Sequence, residues 1–177
     1  MQISKDLPQF NIKEALIIVS AKHGLELYRA YQGSVEKLES FEVENPRYSD
    51  KEGFFMSRGK NVGTIRAGTV GEIKDGDIKR DFFQKLKDFL KNHREQLEGC
   101  SEIYLFAPDT LITELKEEMP ENIQKKIFME FAANYHKSHP FKVLEKIDKA
   151  LTKKIDAIKS KPQSEEEKKI LEIGKDR

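Results

Sequence analysis

The residues best suited to chemistry lie between positions 44 and 77, where neither a helical nor a strand repeat runs through the sequence. Six of the ten glycines of the chain fall in this stretch, and the cations Arg58, Lys60 and Arg66 stand among them. Glycines let a backbone approach a ligand closely, and backbone N–H groups leading into a helix can hold phosphates together with cations. The alternative interpretation is a flexible surface insertion, because loops of this length are either functional or disordered.

The predicted phosphate-binding site combines cations with interleaved glycines. It matches no known nucleotide motif, because residues 63–68 have the glycine spacing of a P-loop but no Lys-Ser or Lys-Thr pair follows. The predicted contacts are Arg58, Lys60, Gly63, Arg66, Gly68 and Gly71.

A second group of polar residues precedes the last predicted helix and comprises Tyr135, His136, Lys137 and His139. The two histidines could serve as acid–base groups together with loop acids, or His136 could cap or hydrogen-bond the turn. A zinc site needs three or four ligands at recognisable spacing, and no such set stands nearby. No serine or cysteine lies in a nucleophile motif. We therefore assign no catalytic residue, metal or cofactor.

Composition limits the classes of function. The chain has 177 residues, of which 37% are hydrophobic and 36% charged, enough for one core. The 32 Lys and Arg nearly balance the 31 acids, so any nucleic-acid contact must rest on a local patch. One cysteine permits no internal disulfide, and no apolar run suits a signal peptide or a bilayer span. We predict a cytoplasmic protein without a membrane partner.

Hydrophobic patterns predict an α/β fold. Residues 15–20 have the β-branched run of a buried strand, and two further strands follow it in an antiparallel meander. Residues 77–97 repeat with helical spacing, and Pro140 opens a last helix. Residues 127–132 suit a strand, although a helix also fits. The predicted mixed sheet, a meander followed by alternating helices and strands, is covered by helices.

The predicted organisation has three parts. Residues 1–14 form an N-terminal arm, residues 15–160 form a single α/β domain with the glycine-rich loop 44–77, and residues 161–177 form a charged tail.

Several segments resemble the "protein required for attachment to host cells" family. Residues 17–29 (IIVSAKHGLELYR) and 38–42 (LESFE) are similar to its opening strands, which precede a glycine-rich loop. Residues 102–109 (EIYLFAPD), with Leu111 and Leu115 after them, resemble its strand, Ala-Pro turn and helix. Residues 134–140 (NYHKSHP) stand at its turn before the final helix. The resemblance covers roughly residues 15–147.

That family is similar in fold to the central domain of archaeal and eukaryotic class-1 peptide release factors and of Pelota. The corresponding release-factor loop carries a Gly-Gly-Gln tip that promotes hydrolysis of peptidyl-tRNA. This chain has no Gly-Gly pair there and no glutamine between Gly33 and Gln84. The resemblance therefore implies a non-enzymatic, translation-associated protein. Its glycine-rich cationic loop would contact ribosomal RNA or tRNA in ribosome rescue, quality control or stress.

Two alternatives belong to other classes of function. One is a hydrolase acting on an ester or phosphodiester, with loop acids and His136 or His139 as acid–base groups. The other is a homodimeric interaction module that pairs through its terminal helix.

Overall fold

Residues 1–43 and 75–159 are described by a computed structural model. They form the mixed α/β fold predicted from the sequence. The strands are β1 (Ala15–Ala21), β2 (Gly24–Tyr31), β3 (Ser34–Glu42), β4 (Glu102–Ala107) and β5 (Ile127–Ala132). The helices are α1 (Asp75–Asn92), α2 (Arg94–Gly99), α3 (Asp109–Glu118), α4 (Glu121–Gln124) and α5 (Pro140–Lys159).

One mixed sheet organises the fold, with the strand order β3-β2-β1-β4-β5. β1, β2 and β3 form the predicted antiparallel meander, whereas β4 lies parallel to β1 and β5 lies parallel to β4. Strands β1, β3, β4 and β5 consequently all end at one edge of the sheet, which we call the carboxyl edge. β2 begins at the same edge.

Both faces of the sheet are covered, which explains the continuous apolar run of β1. Leu16 and Ile18 belong to the core beneath α1 to α4. Ile17 and Val19 belong to the core beneath α5. Successive side chains of a strand point to opposite faces, so a strand between two helical layers must be apolar at every position.

The last residues of β3 lie at the carboxyl edge and pack against α1. Phe41, near the end of β3, packs on Phe82 of α1 with ring centroids 5.5 Å apart. Lys85 donates from Nζ to the backbone oxygen of Glu42 at 2.8 Å. Val43 N–H bonds the backbone oxygen of His23 at 2.7 Å. The last residues of β3 are thereby held between α1 and the turn that joins β1 to β2.

The prediction of one helix over residues 77–97 is wrong at both its start and its middle. The helix begins at Asp75, so the last three residues of the predicted 44–77 loop are helical. A break at His93 (φ −101°, ψ 18°) separates α1 from α2. The His93 side chain contacts Glu39 of β3, with Nε2 and Oε2 2.5 Å apart. This tertiary contact accompanies the break, although the apolar spacing continues through it.

The alternative left open for residues 127–132 is resolved, because they form strand β5. The predicted further turn after Pro120 is helix α4.

The N-terminal arm packs on the sheet. Ile3 and Phe10 are buried in the core beneath α5. Ile3 N–H donates to Gly33 O at 2.7 Å, and Val35 N–H donates to Met1 O at 2.8 Å. The arm thus pairs with the first residues of β3, on the side of that strand that faces away from β2.

Within residues 1–43 and 75–159, no helix has both the length and the apolar character that crossing a membrane requires.

Phe82→Ala should lower the free energy of unfolding by about 3–5 kcal/mol, because it leaves a cavity in the core beneath α1. Phe82 is 1% exposed and packs on Phe41 and Phe83. Phe83→Ala is the matched control, since Phe83 is only partly buried, and it should cost about 1–2 kcal/mol. Urea denaturation measures both values. Equal losses would contradict the assigned orientation of α1.

Candidate functional site at the carboxyl edge

The predicted phosphate-binding residues lie outside the described part of the chain. They are Arg58, Lys60, Gly63, Arg66, Gly68 and Gly71. Of the described residues on either side of that segment, the end of β3 lies at the carboxyl edge and packs against α1.

The predicted second group of polar residues is divided by the structure. The Tyr135 ring packs edge-on against Phe106 of β4, with centroids 5.5 Å apart. His139 Nδ1 lies 3.4 Å from the N–H of Phe141, and its ring contacts the Phe141 ring. His139 thus caps the start of α5, a role the sequence suggested for His136. Only His136 and Lys137 enter a shared polar cluster.

That cluster is centred on Glu26 of β2, and we call it the Glu26 cluster (Glu26, Lys37, Glu42, His136 and Lys137). The Glu26 side chain is only 7% exposed, yet both of its oxygens are engaged. Lys37 Nζ donates to Oε1 at 2.7 Å, and the backbone N–H of Lys137 donates to Oε2 at 3.1 Å. A buried carboxylate is stable only when it is paired in this way.

Lys137 contributes its backbone as well as its side chain. Its φ of 61° is left-handed, a conformation that residues other than glycine rarely adopt. Its Nζ forms a salt bridge of 2.8 Å with Oε1 of Glu42, the last residue of β3. One residue therefore connects the segment after β5 to both β2 and β3.

The charges of the Glu26 cluster balance internally. Burial opposes ionisation of Glu26, but the hydrogen bonds from the Lys37 side chain and the Lys137 backbone, together with the charge of Lys37, outweigh it and hold the pKa of Glu26 below its ordinary range. The hydrogen bond from Lys137 likewise lowers the pKa of Glu42. The two lysines thus pair with two ionised carboxylates, and neither lysine is available to bind a phosphate group.

His136 fills a space that glycine creates. A Cβ at Gly24 would lie 2.6 Å from His136 Nε2 and 3.1 Å from Phe41 O. Burial lowers the pKa of His136, against the opposing effect of Glu26 and Glu42, so the ring is neutral at pH 7. Its Nε2 is buried and 3.9 Å from Glu42 Oε1, beyond a hydrogen bond. The imidazole is thus placed by packing.

This arrangement suits an anchor better than a reaction centre. A general base must come within hydrogen-bond reach of a substrate proton, and His136 Nε2 is enclosed against Gly24. In residues 1–43 and 75–159, no three His, Cys, Asp or Glu side chains gather in a way that could hold a metal ion. The cluster fixes the turn of residues 133–139 across the carboxyl edge.

Sequence reasoning missed Gly24, Glu26, Lys37 and Glu42. One signal was present, because Glu26 stands between Leu25 and Leu27 in a strand, with Lys37 of opposite charge on the next strand of the hairpin. Their partner Lys137 is 111 positions away from Glu26, and no spacing rule connects the two.

Gly24→Ala should lower the free energy of unfolding by about 1–3 kcal/mol, because the new methyl group collides with the His136 ring. The double variant Gly24→Ala/His136→Ala separates this collision from a backbone effect. Removing the ring should recover about 1 kcal/mol or more of the loss, measured as coupling in a double-mutant cycle by urea denaturation. Strictly additive effects would show that the ring is not the obstacle.

Glu26→Gln should lower the free energy of unfolding by about 1–2 kcal/mol at pH 7, because it removes the charge that pairs with Lys37 and that strengthens the hydrogen bond from the Lys137 backbone N–H. The folded-state pKa of Glu26 is depressed. Its stabilisation is therefore present above the ordinary pKa and lost as the pH falls through the folded value.

Unfolding measured from about pH 6 down to pH 3 should therefore show a steeper acid loss in the natural chain than in the variant, with the gap narrowing below about pH 4.5. Both chains keep His136, so its titration contributes to both curves. Parallel curves over that range would contradict the pairing of Glu26.

Comparisons with known proteins give a likeness of fold only. No family model matches the chain, and no curated protein sequence matches it. Part of the fold is similar to the crystal structure of an archaeal translation termination factor, aRF1, with a TM-score of 0.45 and 13% identity over 68% of this chain. A structure described as an archaeal protein gives a TM-score of 0.43 and 13% identity, also over 68%. The chain spans 30% of the length of each.

Proposed function

We propose that this chain binds structured RNA through the segment of residues 44–74 and has no catalytic role of its own. The observation that carries the proposal is the position of the described end that precedes that segment. The end of β3 lies at the carboxyl edge, where α1 and the Glu26 cluster hold it.

The distribution of charged residues also supports RNA binding by this segment. The chain is close to neutral overall, and the lysines of the Glu26 cluster are paired with carboxylates. Residues 53–71 contain Arg58, Lys60 and Arg66 and no Asp or Glu. A local run of cations with no acid among them in the sequence is what a nearly neutral protein needs to bind a polyanion.

In this proposal the three cations contact phosphates, while Gly63, Gly68 and Gly71 allow close approach of backbone N–H groups. The proposed partners are ribosomal RNA or tRNA in the cytoplasm, in rescue, quality control or stress. Membership of the host-attachment family is part of the same proposal. Ribosomes are the first RNA-containing partner to test.

Neither alternative function is favoured by a contact among the described residues. For the hydrolase, His136 is enclosed and His139 caps α5, and most of the loop acids lie outside the described residues. The exposed side of α5 carries charges of both signs and shows no apolar stripe for a second copy.

Replacing Arg58, Lys60 and Arg66 together by alanine should weaken co-sedimentation with ribosomes at low salt. Each lost phosphate contact should also reduce the slope of log affinity against log salt by about 0.7–0.9. Co-sedimentation across a salt series measures both quantities.

A variant with alanine at Lys91, Lys125 and Lys149 is the matched control, because it removes the same charge from exposed positions on the body of the fold. It should retain most of the affinity. An equal loss in both variants would reduce the interaction to overall charge, and no ribosome binding by the natural chain at low salt would overturn the proposal.

A further inference from the structure

Strand β5 lies at the end of the strand order opposite to β3 and forms a free edge of the sheet. It pairs with β4 and with no other strand in the described part of the chain. Ala133 N–H donates to Ala107 O of β4. Backbone groups alternate in direction along a strand, so the N–H groups of Glu130 and Ala132 point away from β4. Such an edge can accept another strand.

A groove runs beside this edge between β5 and α5. Its volume is about 300 Å³, and its lining includes Phe128, Met129, Ala150 and Lys154. Phe128 is only partly buried, and Lys154 Nζ lies 5.2 Å from the centre of its ring. The groove thus joins an apolar floor to a cation, directly next to unpaired backbone groups.

The charged residues of α5 are segregated, with lysines on the side that faces the groove and acids on the opposite side. Helical geometry places Lys146, Lys153 and Lys154 on the side of α5 that carries Ala150. The acids of the same helix, Glu145, Asp148 and Asp156, fall on the other side.

Glu130, the only acid of the groove lining, is neutralised by Lys116 at 2.7 Å. No salt bridge among the described residues engages Lys146, Lys153 or Lys154. Among residues 1–43 and 75–159, the uncompensated charge beside the groove is therefore positive.

We propose that this groove, the β5 groove, binds an extended acidic peptide of a partner protein as an added strand. Side chains at every second peptide position would face α5. A sequence Glu-Thr-Leu-Thr-Glu would place leucine in the groove and both glutamates towards the lysines.

The dimensions of helix and strand agree with this pattern. Lys146 and Lys154 are separated by about 12 Å along the helix, and the two glutamates of an extended peptide by about 13 Å. The other free edge fits less well, because the N-terminal arm already bonds to the beginning of β3.

The test uses the full chain and a fluorescein-labelled Glu-Thr-Leu-Thr-Glu peptide in an anisotropy titration. We expect saturable binding, and at least about tenfold weaker binding when lysine replaces both glutamates. Lys154→Glu should weaken binding of the acidic peptide about fivefold or more. Lys149→Glu is the matched comparison, because it makes the same charge change about 100° around α5 from Ala150, farther from the groove than Lys154, and should weaken binding less than Lys154→Glu does.

Two further measurements separate strand addition from attraction by charge alone. A peptide N-methylated at every amide should not bind, because it cannot donate hydrogen bonds to the edge. Amide hydrogen exchange at Glu130 and Ala132 should slow when the unmodified peptide binds.

Several results would overturn the proposal. They are undiminished binding of the methylated peptide, equal loss in Lys149→Glu and Lys154→Glu, or no saturable binding at all. Sedimentation showing that a second copy of the chain occupies the same edge would also overturn it.

Discussion

The buried carboxylate of Glu26 is the constraint on which the arrangement of the carboxyl edge depends. An ionised carboxylate at 7% exposure is costly unless each oxygen has a partner. One partner, Lys37, comes from the neighbouring strand, but the other is the backbone N–H of Lys137 in a left-handed conformation. Such a conformation costs about 1–2 kcal/mol, and a charge-assisted hydrogen bond offsets a cost of that size. The carboxylate and the strained turn therefore stabilise each other.

The position of α5 follows from this anchor. Residues 133–139 are fixed over β2 and β3 before the helix begins, and His139 then caps its first turn. Val143, Leu144, Ile147 and Leu151 bury the apolar stripe of the helix on the second face of the sheet. The angle at which α5 crosses the sheet also leaves Ala150 and Lys154 beside β5. The Glu26 cluster, which fixes the start of α5 at the carboxyl edge, thus also helps to place the residues of α5 that line the β5 groove.

Local patterns were sufficient to predict β1 and α5, because continuous apolar runs and three- and four-residue steps are properties of neighbouring residues. They failed at His93, where the apolar spacing of Phe89, Leu90 and Leu97 continues across a break that accompanies a contact with Glu39.

The candidate site shows the same limit more strongly. His136 and Lys137 could be singled out by type, but their roles depend on Gly24, Glu26 and Glu42, more than 90 positions earlier. Contacts between residues so far apart in the sequence depend on the topology of the fold, and the local patterns of a single sequence do not predict them.

Segregation of charge explains how a chain with a net charge of only +1 could recognise anions at two places. In the Glu26 cluster, each lysine is paired with a carboxylate, so their charges cancel. The cluster therefore stabilises the fold and offers no net charge that would attract an anion. Residues 53–71 and the groove side of α5 instead carry cations with no acid among them. In the two proposals, the glycine-rich sequence and strand β5 would select different anions. Glycines admit close approach to phosphates, whereas the N–H groups along β5 match only another extended chain.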